Sequence, residues 1–165
     1  MDIEKDWPQI RRLAMQCFPH YVLSTVSADG VPHAAPMGSI MLGPDQNAVY
    51  FEIFTTRIPR NLDANDRVCV LMQRHGIAFW LKSLFKGRFA QPPGLRLLGR
   101  AGPRREATEE EKNRWRRRVR FARRFKGHDL LWGNLEFVRD ISFDEAQPIN
   151  LGAMTRGVSE PEGEG

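Results

Sequence analysis

Apolar and polar positions recur with two different periods along this chain, and each change of period marks a new element. Ile3, Trp7, Ile10, Ala14, Cys17 and Phe18 fall on one arc at 3.6-residue spacing, which predicts an amphipathic helix over residues 6–18. Asp6 followed by Gln9 fits a capping box, and Pro19 stops the helix. From Tyr21 the pattern turns to strand. Tyr21–Val26 is β-rich, and Ala28-Asp29-Gly30 supplies the positive φ of a tight turn. His33–Leu42 reads as the return strand, 43–47 as a turn cluster, Ala48–Phe54 as a third strand and Arg67–Met72 as a fourth. Between the last two, residues 58–65 read as a short helical connector.

The second half is less regular. Residues 74–94 carry an apolar run, Ile77–Leu81 with Leu84 and Phe85, broken by Lys82, Lys86 and Arg88. A short helix or hairpin packed on the sheet fits it, and a lid over a ligand pocket is the alternative. Leu95–Gly102 suits a strand with a glycine bulge. Thr108 with Glu111 three residues later is a strong helix start, and the helix is expected to run to Phe125 and end at Gly127. Leu135–Phe143 and a short Pro148–Leu151 complete the strands.

At 165 residues the chain suits one domain with a full core. No run approaches the ~18 apolar residues of a membrane span, and the N-terminus has no signal-peptide pattern. The expected compartment is the cytoplasm. Cys17 and Cys69 sit in apolar patterns and the four histidines are scattered, so no metal site is expected. The net charge of +5 is uneven. Residues 96–126 are arginine-rich, whereas residues 156–165 form an acidic tail with too little apolar content to fold. In the arginine block, Trp115, Val119, Ala122 and Phe125 share a helical arc opposite Arg116, Arg117, Arg120, Arg123 and Arg124. A packed helix with a solvated basic face explains this, and the rivals are a nucleic-acid or anionic-lipid surface and arginines that reach a bound phosphate or an acidic substrate across a dimer interface.

The candidate chemistry lies after the third strand. Thr55, Thr56, Arg57 and Arg60 combine short hydroxyl donors with guanidinium forks, and a helical turn over 58–65 would aim its first amides at the same anion. β-branched strand formers followed by a solvated basic loop would give the same residues. His33 reads as a turn-flanking polar residue. No side chain stands out as a general acid or base. The chain has no Gly-x-Ser-x-Gly, Walker loop or dinucleotide fingerprint, which argues against hydrolase, NTPase and Rossmann readings.

The order of these pieces resembles the FMN-binding split-barrel family related to pyridoxamine 5′-phosphate oxidase. The segment Thr55-Thr56-Arg57-Ile58-Pro59-Arg60-Asn61-Leu62 looks like the family's threonine-ended strand, basic segment and Asn-Leu helix. Many members have lysine where Ile58 stands, so Arg57 or Arg60 must supply the charge here. The resemblance covers residues 6–73 best. It implies an α+β fold built on a mainly antiparallel split β-barrel, a single FMN-binding domain over 1–155, and a homodimer with cofactor sites at the subunit interface. It implies phosphate contacts from Thr55, Thr56, Arg57 and Arg60, with the isoalloxazine along Ala35, Pro36, Met37 and Gly38. The implied activity is FMN-dependent oxidoreduction of a small molecule. Two alternatives stay open: a deazaflavin held by Arg57, Arg60 and Arg88, and a non-catalytic protein that binds flavin or nucleic acid. Residues 148–157 lack the arginine-histidine substrate motif of the pyridoxamine phosphate oxidases, which speaks against that reaction.

Overall fold

The computed structural model describes residues 1–53 and 56–158. Thr55 and residues 159–165 of the acidic tail lie outside them. The elements are α1 (Trp7–Cys17), β1 (Tyr21–Val26), β2 (Pro32–Pro36), β3 (Ile40–Leu42), β4 (Asn47–Phe51), α2 (Arg57–Ala64) and β5 (Arg67–Gln73). They continue as α3 (Ile77–Lys86), β6 (Gly94–Ala101), β7 (Arg105–Glu106), α4 (Glu109–Arg118), α5 (Gly127–Trp132) and β8 (Phe137–Pro148). Short 3₁₀ turns follow α4 and β8.

The strands run in the order β2-β1-β5-β6-β8-β4-β3, with β7 added to β8 and every pair antiparallel. β2 and β3 stand at opposite ends of that path yet are joined by only residues 37–39. The chain itself therefore draws the two sheet edges together, and the sheet curls into a split barrel. The bridge is pinned on both sides: the Met37 amide donates to the Tyr21 carbonyl at 2.8 Å and the Phe51 amide to the Ser39 carbonyl at 3.1 Å. This corrects the expectation of one strand over 33–42. Pro36 cannot donate to a ladder, and the Ser39 hydroxyl donates to the Phe51 carbonyl at 2.8 Å, so the strand breaks where it changes partner.

The larger core collects one face of the strands with Trp7, Ile10, Ala14 and Cys17 of α1 and Ile58 and Leu62 of α2. A second core packs Trp115 and Val119 against Met41, Phe51 and Val138 on the other face. The Asp-Gly turn forms as expected, with Gly30 at φ 83°. The bulge also exists, but its extra residue is Asp144 of β8, opposite Leu98 and Gly99. A Cβ on Gly99 would lie 2.0 Å from the Ser142 carbonyl oxygen, so only glycine allows this approach. β8 is one long strand, not two.

Three helix expectations change. Asp6 makes no capping bond to α1, because its carboxylate instead accepts from the Asp2 amide at 3.0 Å. α4 ends at Arg118 and Gly127 begins α5, so the helix does not reach Phe125, which is exposed. Like charges at i,i+4, such as Arg116 with Arg120 and Arg120 with Arg124, disfavour continuing the helix. α3 packs through Ser83, Phe79 and Trp80, while Ile77, Leu81, Leu84 and Phe85 face outward, Phe85 at 95% exposure.

The Thr108 box does form. The Glu111 amide donates to the Thr108 hydroxyl at 3.2 Å, and the Thr108 amide donates to the Glu111 carboxylate at 2.8 Å. Arg105 donates to both Glu111 oxygens at 2.7 and 3.0 Å. That fork holds the Glu111 carboxyl at about 2, against the opposing effect of burial. Its folded value is depressed, so its contribution is complete above the ordinary 4.5 and is lost as pH falls toward about 2. Denaturant unfolding across pH 2–6 should therefore show the wild type more stable than Glu111→Gln at pH 6, with the gap closing through that window. A constant gap would mean that the carboxylate charge is not what the site uses.

Candidate functional site

α2 is a helix whose first turn carries two arginines and no acid. Cations at a helix N-terminus oppose the macrodipole and are mildly destabilising there. Neither Arg57 nor Arg60 has an ion-pair partner among the described residues, and both are exposed. Thr56, the N-cap residue, makes no capping bond with its side chain. The sequence thus places uncompensated positive charge and an uncommitted hydroxyl at the positive end of a dipole. An anion is what relieves such an arrangement.

The two arginines open onto a cavity of about 360 Å³ between α2 and the β1–β2 turn. Ser27 and Asp29 of the turn, His33 of β2, and Asn61 complete its polar lining. Asn61 is buried and donates from Nδ2 to the Thr25 hydroxyl at 2.9 Å, which fixes α2 on β1. Asp29 is the carboxylate in the lining, and the Ser27 hydroxyl hydrogen-bonds to it and holds its pKa below the ordinary value. It stays ionised, and no ion pair links it to either arginine among the described residues.

The end of β4 and helix α2 are both tied to β8 by one residue that the sequence reading passed over. Arg139 of β8 is 2% exposed and shares the inward face of Ile141 and Phe143. Its Nε donates to Glu52 at 2.5 Å and its NH2 to Asp63 at 2.6 Å, with a further 3.3 Å contact to the Gly102 carbonyl. Glu52 directly follows β4 and Asp63 lies in α2, so Arg139 ties the end of that strand and the helix that carries Arg57 to the same residue of β8. Arg104 also reaches Glu52 at 2.9 Å. The one sequence signal was an arginine in phase with the apolar positions Phe137, Ile141 and Phe143 of an alternating strand.

Of the residues expected at the site, the structure brings Arg57 and Arg60 together in one cavity and puts Thr56 at the start of the same helix. Ala35, Pro36, Met37 and Gly38 do not line it. Ala35 and Pro36 end β2, at one end of the sheet path, and Met37 and Gly38 follow in the bridge to β3, with Pro36 exposed and the Met37 side chain in the core. His33 is in the cavity wall, not merely beside the turn. Arg88, joined to Arg57 and Arg60 in the deazaflavin alternative, lines a separate depression with Arg74, Lys82 and Lys86.

Burial pushes the Cys17 thiol up to about 11 and also raises Cys69, so neither is a ready nucleophile at neutral pH. No group of three or more His, Cys, Asp or Glu side chains suited to a metal is present among the described residues. No described helix is long and apolar enough to cross a membrane.

Comparison with known proteins places this geometry in context. The sequence model of the pyridoxamine 5′-phosphate oxidase family matches residues 8–141. No curated protein matches the chain. Among solved structures, an FMN-binding protein from Syntrophomonas wolfei has a TM-score of 0.62 at 13% identity, covering 90% of this chain and 95% of its own. HupZ of Group A Streptococcus has a TM-score of 0.59 at 16% identity, covering 89% and 96%. A candidate pyridoxamine 5′-phosphate oxidase from Listeria innocua has 0.53 at 21% identity, covering 90% and 98%. At these identities the likeness establishes the fold alone.

Proposed function

Because this chain belongs to the pyridoxamine 5′-phosphate oxidase family, we propose that it binds FMN and acts as an FMN-dependent oxidoreductase on a small molecule. The carrying observation is the pair of uncompensated arginines, Arg57 and Arg60, on the first turn of α2 beside the β1–β2 turn. The terminal phosphate of FMN is a dianion that fits a guanidinium fork, the Thr56 hydroxyl and the helix amides. Thr55 belongs to the same proposal. The ring is proposed to extend from there along Ala35, Pro36, Met37 and Gly38.

A bound flavin supplies hydride or electron transfer, and the protein supplies position and charge. Arg57 and Arg60 hold the phosphate and Asn61 keeps their helix on β1. Arg139 fixes the approach to it through Glu52 and Asp63. His33 places an imidazole in the same cavity wall. We assign no general acid or base.

The same family reading proposes one domain over residues 1–155 and a homodimeric, cytoplasmic protein. Two unpaired cysteines suit a reducing compartment. The outward ridge of Ile77, Leu81, Leu84 and Phe85 is apolar surface of the kind a second copy covers. Sedimentation velocity should give a dimer mass for the wild type and a monomer mass for Leu81→Ser/Phe85→Ser. A dimer that persists in the double variant would move the interface elsewhere.

The deazaflavin alternative is weakened by the separation of Arg88 from the Arg57–Arg60 cavity. Competition between the two cofactors on apo-protein decides it. FMN is expected to win by at least about tenfold, or ~1.4 kcal/mol. Tighter deazaflavin binding would reverse the assignment.

A further inference from the structure

A second basic concavity lies far along the chain from the flavin residues. Arg116 and Arg117 of α4, with Arg120 and Arg123 just beyond it, line a cavity of about 670 Å³ with His128 and Trp132 of α5. It shares no residue with the Arg57–Arg60 cavity. No carboxylate among the described residues lines it. Arg117, Arg120 and Arg123 have no ion-pair partner among the described residues, and Arg116 has only Glu109 at 3.9 Å and a 3.3 Å hydrogen bond to Asn113.

These guanidiniums are held together by the fold and not by each other. α4 ends at Arg118 and a 3₁₀ turn over Arg120–Ala122 follows it, anchored by buried Val119 and Ala122, so Arg120 and Arg123 line the same cavity as Arg116 and Arg117. Arginines near a helix C-terminus are favoured by the dipole, which accounts for Arg116 and Arg117 but not for the two beyond it. Four positive forks in one concavity repel until an anion enters, and the planar fork suits phosphate oxygens.

The cavity also has an aromatic wall. Trp132 is half-buried, set edge-on to Trp115 at 6.5 Å and to His128 at 5.3 Å. Its volume lies within the ~300–1,000 Å³ of small-molecule sites and exceeds what an isolated phosphate needs. We propose that this cavity binds a nucleoside polyphosphate, with the arginines on the phosphates and Trp132 against the base. This assignment does not rest on the flavin reading.

The test is calorimetric titration of the full chain with ATP, adenosine, tripolyphosphate and a single-stranded RNA decamer, followed in parallel by tryptophan fluorescence. ATP is expected to bind saturably at one site per chain, with adenosine and tripolyphosphate each weaker by at least about tenfold. Arg120→Gln/Arg123→Gln should weaken ATP by at least about tenfold and leave FMN affinity unchanged. Trp132→Leu should weaken ATP while tripolyphosphate binding stays the same. Should that variant unfold, the exposed Arg117→Gln with the same ligands carries the test. The proposal is overturned by no saturable ATP binding, by tripolyphosphate binding as tightly as ATP, or by RNA binding that ATP does not displace.

Discussion

Arg139→Ala is expected to destabilise the protein by about 3–5 kcal/mol, the cost of removing one partner from a buried ion pair. Glu52, 3% exposed, would keep only Arg104 to balance its charge, and Asp63 would lose its tie to β8. Denaturant titration should show a lower midpoint with an unchanged slope, since the native surface is kept and only stability is lost. The double variant Arg139→Met/Glu52→Met should recover most of the loss, because apolar groups of similar volume commonly replace a buried pair at little cost. FMN affinity should fall in both variants, since Asp63 no longer ties α2 to β8. A loss below ~1 kcal/mol in Arg139→Ala would show that the ion pair is not what braces this corner.

Arg57→Ala is expected to weaken FMN binding by ~1.5–3 kcal/mol, the range for a hydrogen bond to a charged group. Arg57→Lys should recover part of this, since charge remains and the fork is lost. Riboflavin has no phosphate, so its affinity should barely change in either variant. Equal losses for both ligands would make Arg57 a support of the fold. Arg60→Ala, run with the same pair, apportions the charge between the two arginines, and we expect the larger share at Arg57.

Much of this fold was legible because local chemistry and final structure agree. β1, its Asp-Gly turn, α2 and β5 each rest on a period or a turn residue within a few positions, and all four form where expected. The legible part of the site is likewise local: Arg57 and Arg60 sit three residues apart on one helix. What the sequence hides is partner choice. Residues 33–42 look like one strand because every stretch of them is strand-like, yet Tyr21 and Phe51 claim its two halves. The Asp6 and Thr108 boxes look alike in sequence, and only the position of Asp2 and Arg105 separates them. Arg139, Glu52 and Asp63 are far apart in the chain, so no spacing announces their contact. The outward apolar ridge of α3 reads as a packed face until the barrel shows which side is covered.

The central claim is that the Arg57–Arg60 cavity holds the phosphate of a flavin. Parallel calorimetric titrations of the wild-type apo-protein with FMN and riboflavin test it most directly, with flavin absorbance read after gel filtration. The account predicts a yellow protein with FMN bound tighter than riboflavin by at least about tenfold, or ~1.4 kcal/mol. A protein that stays colourless, or that binds the two flavins equally, would contradict it.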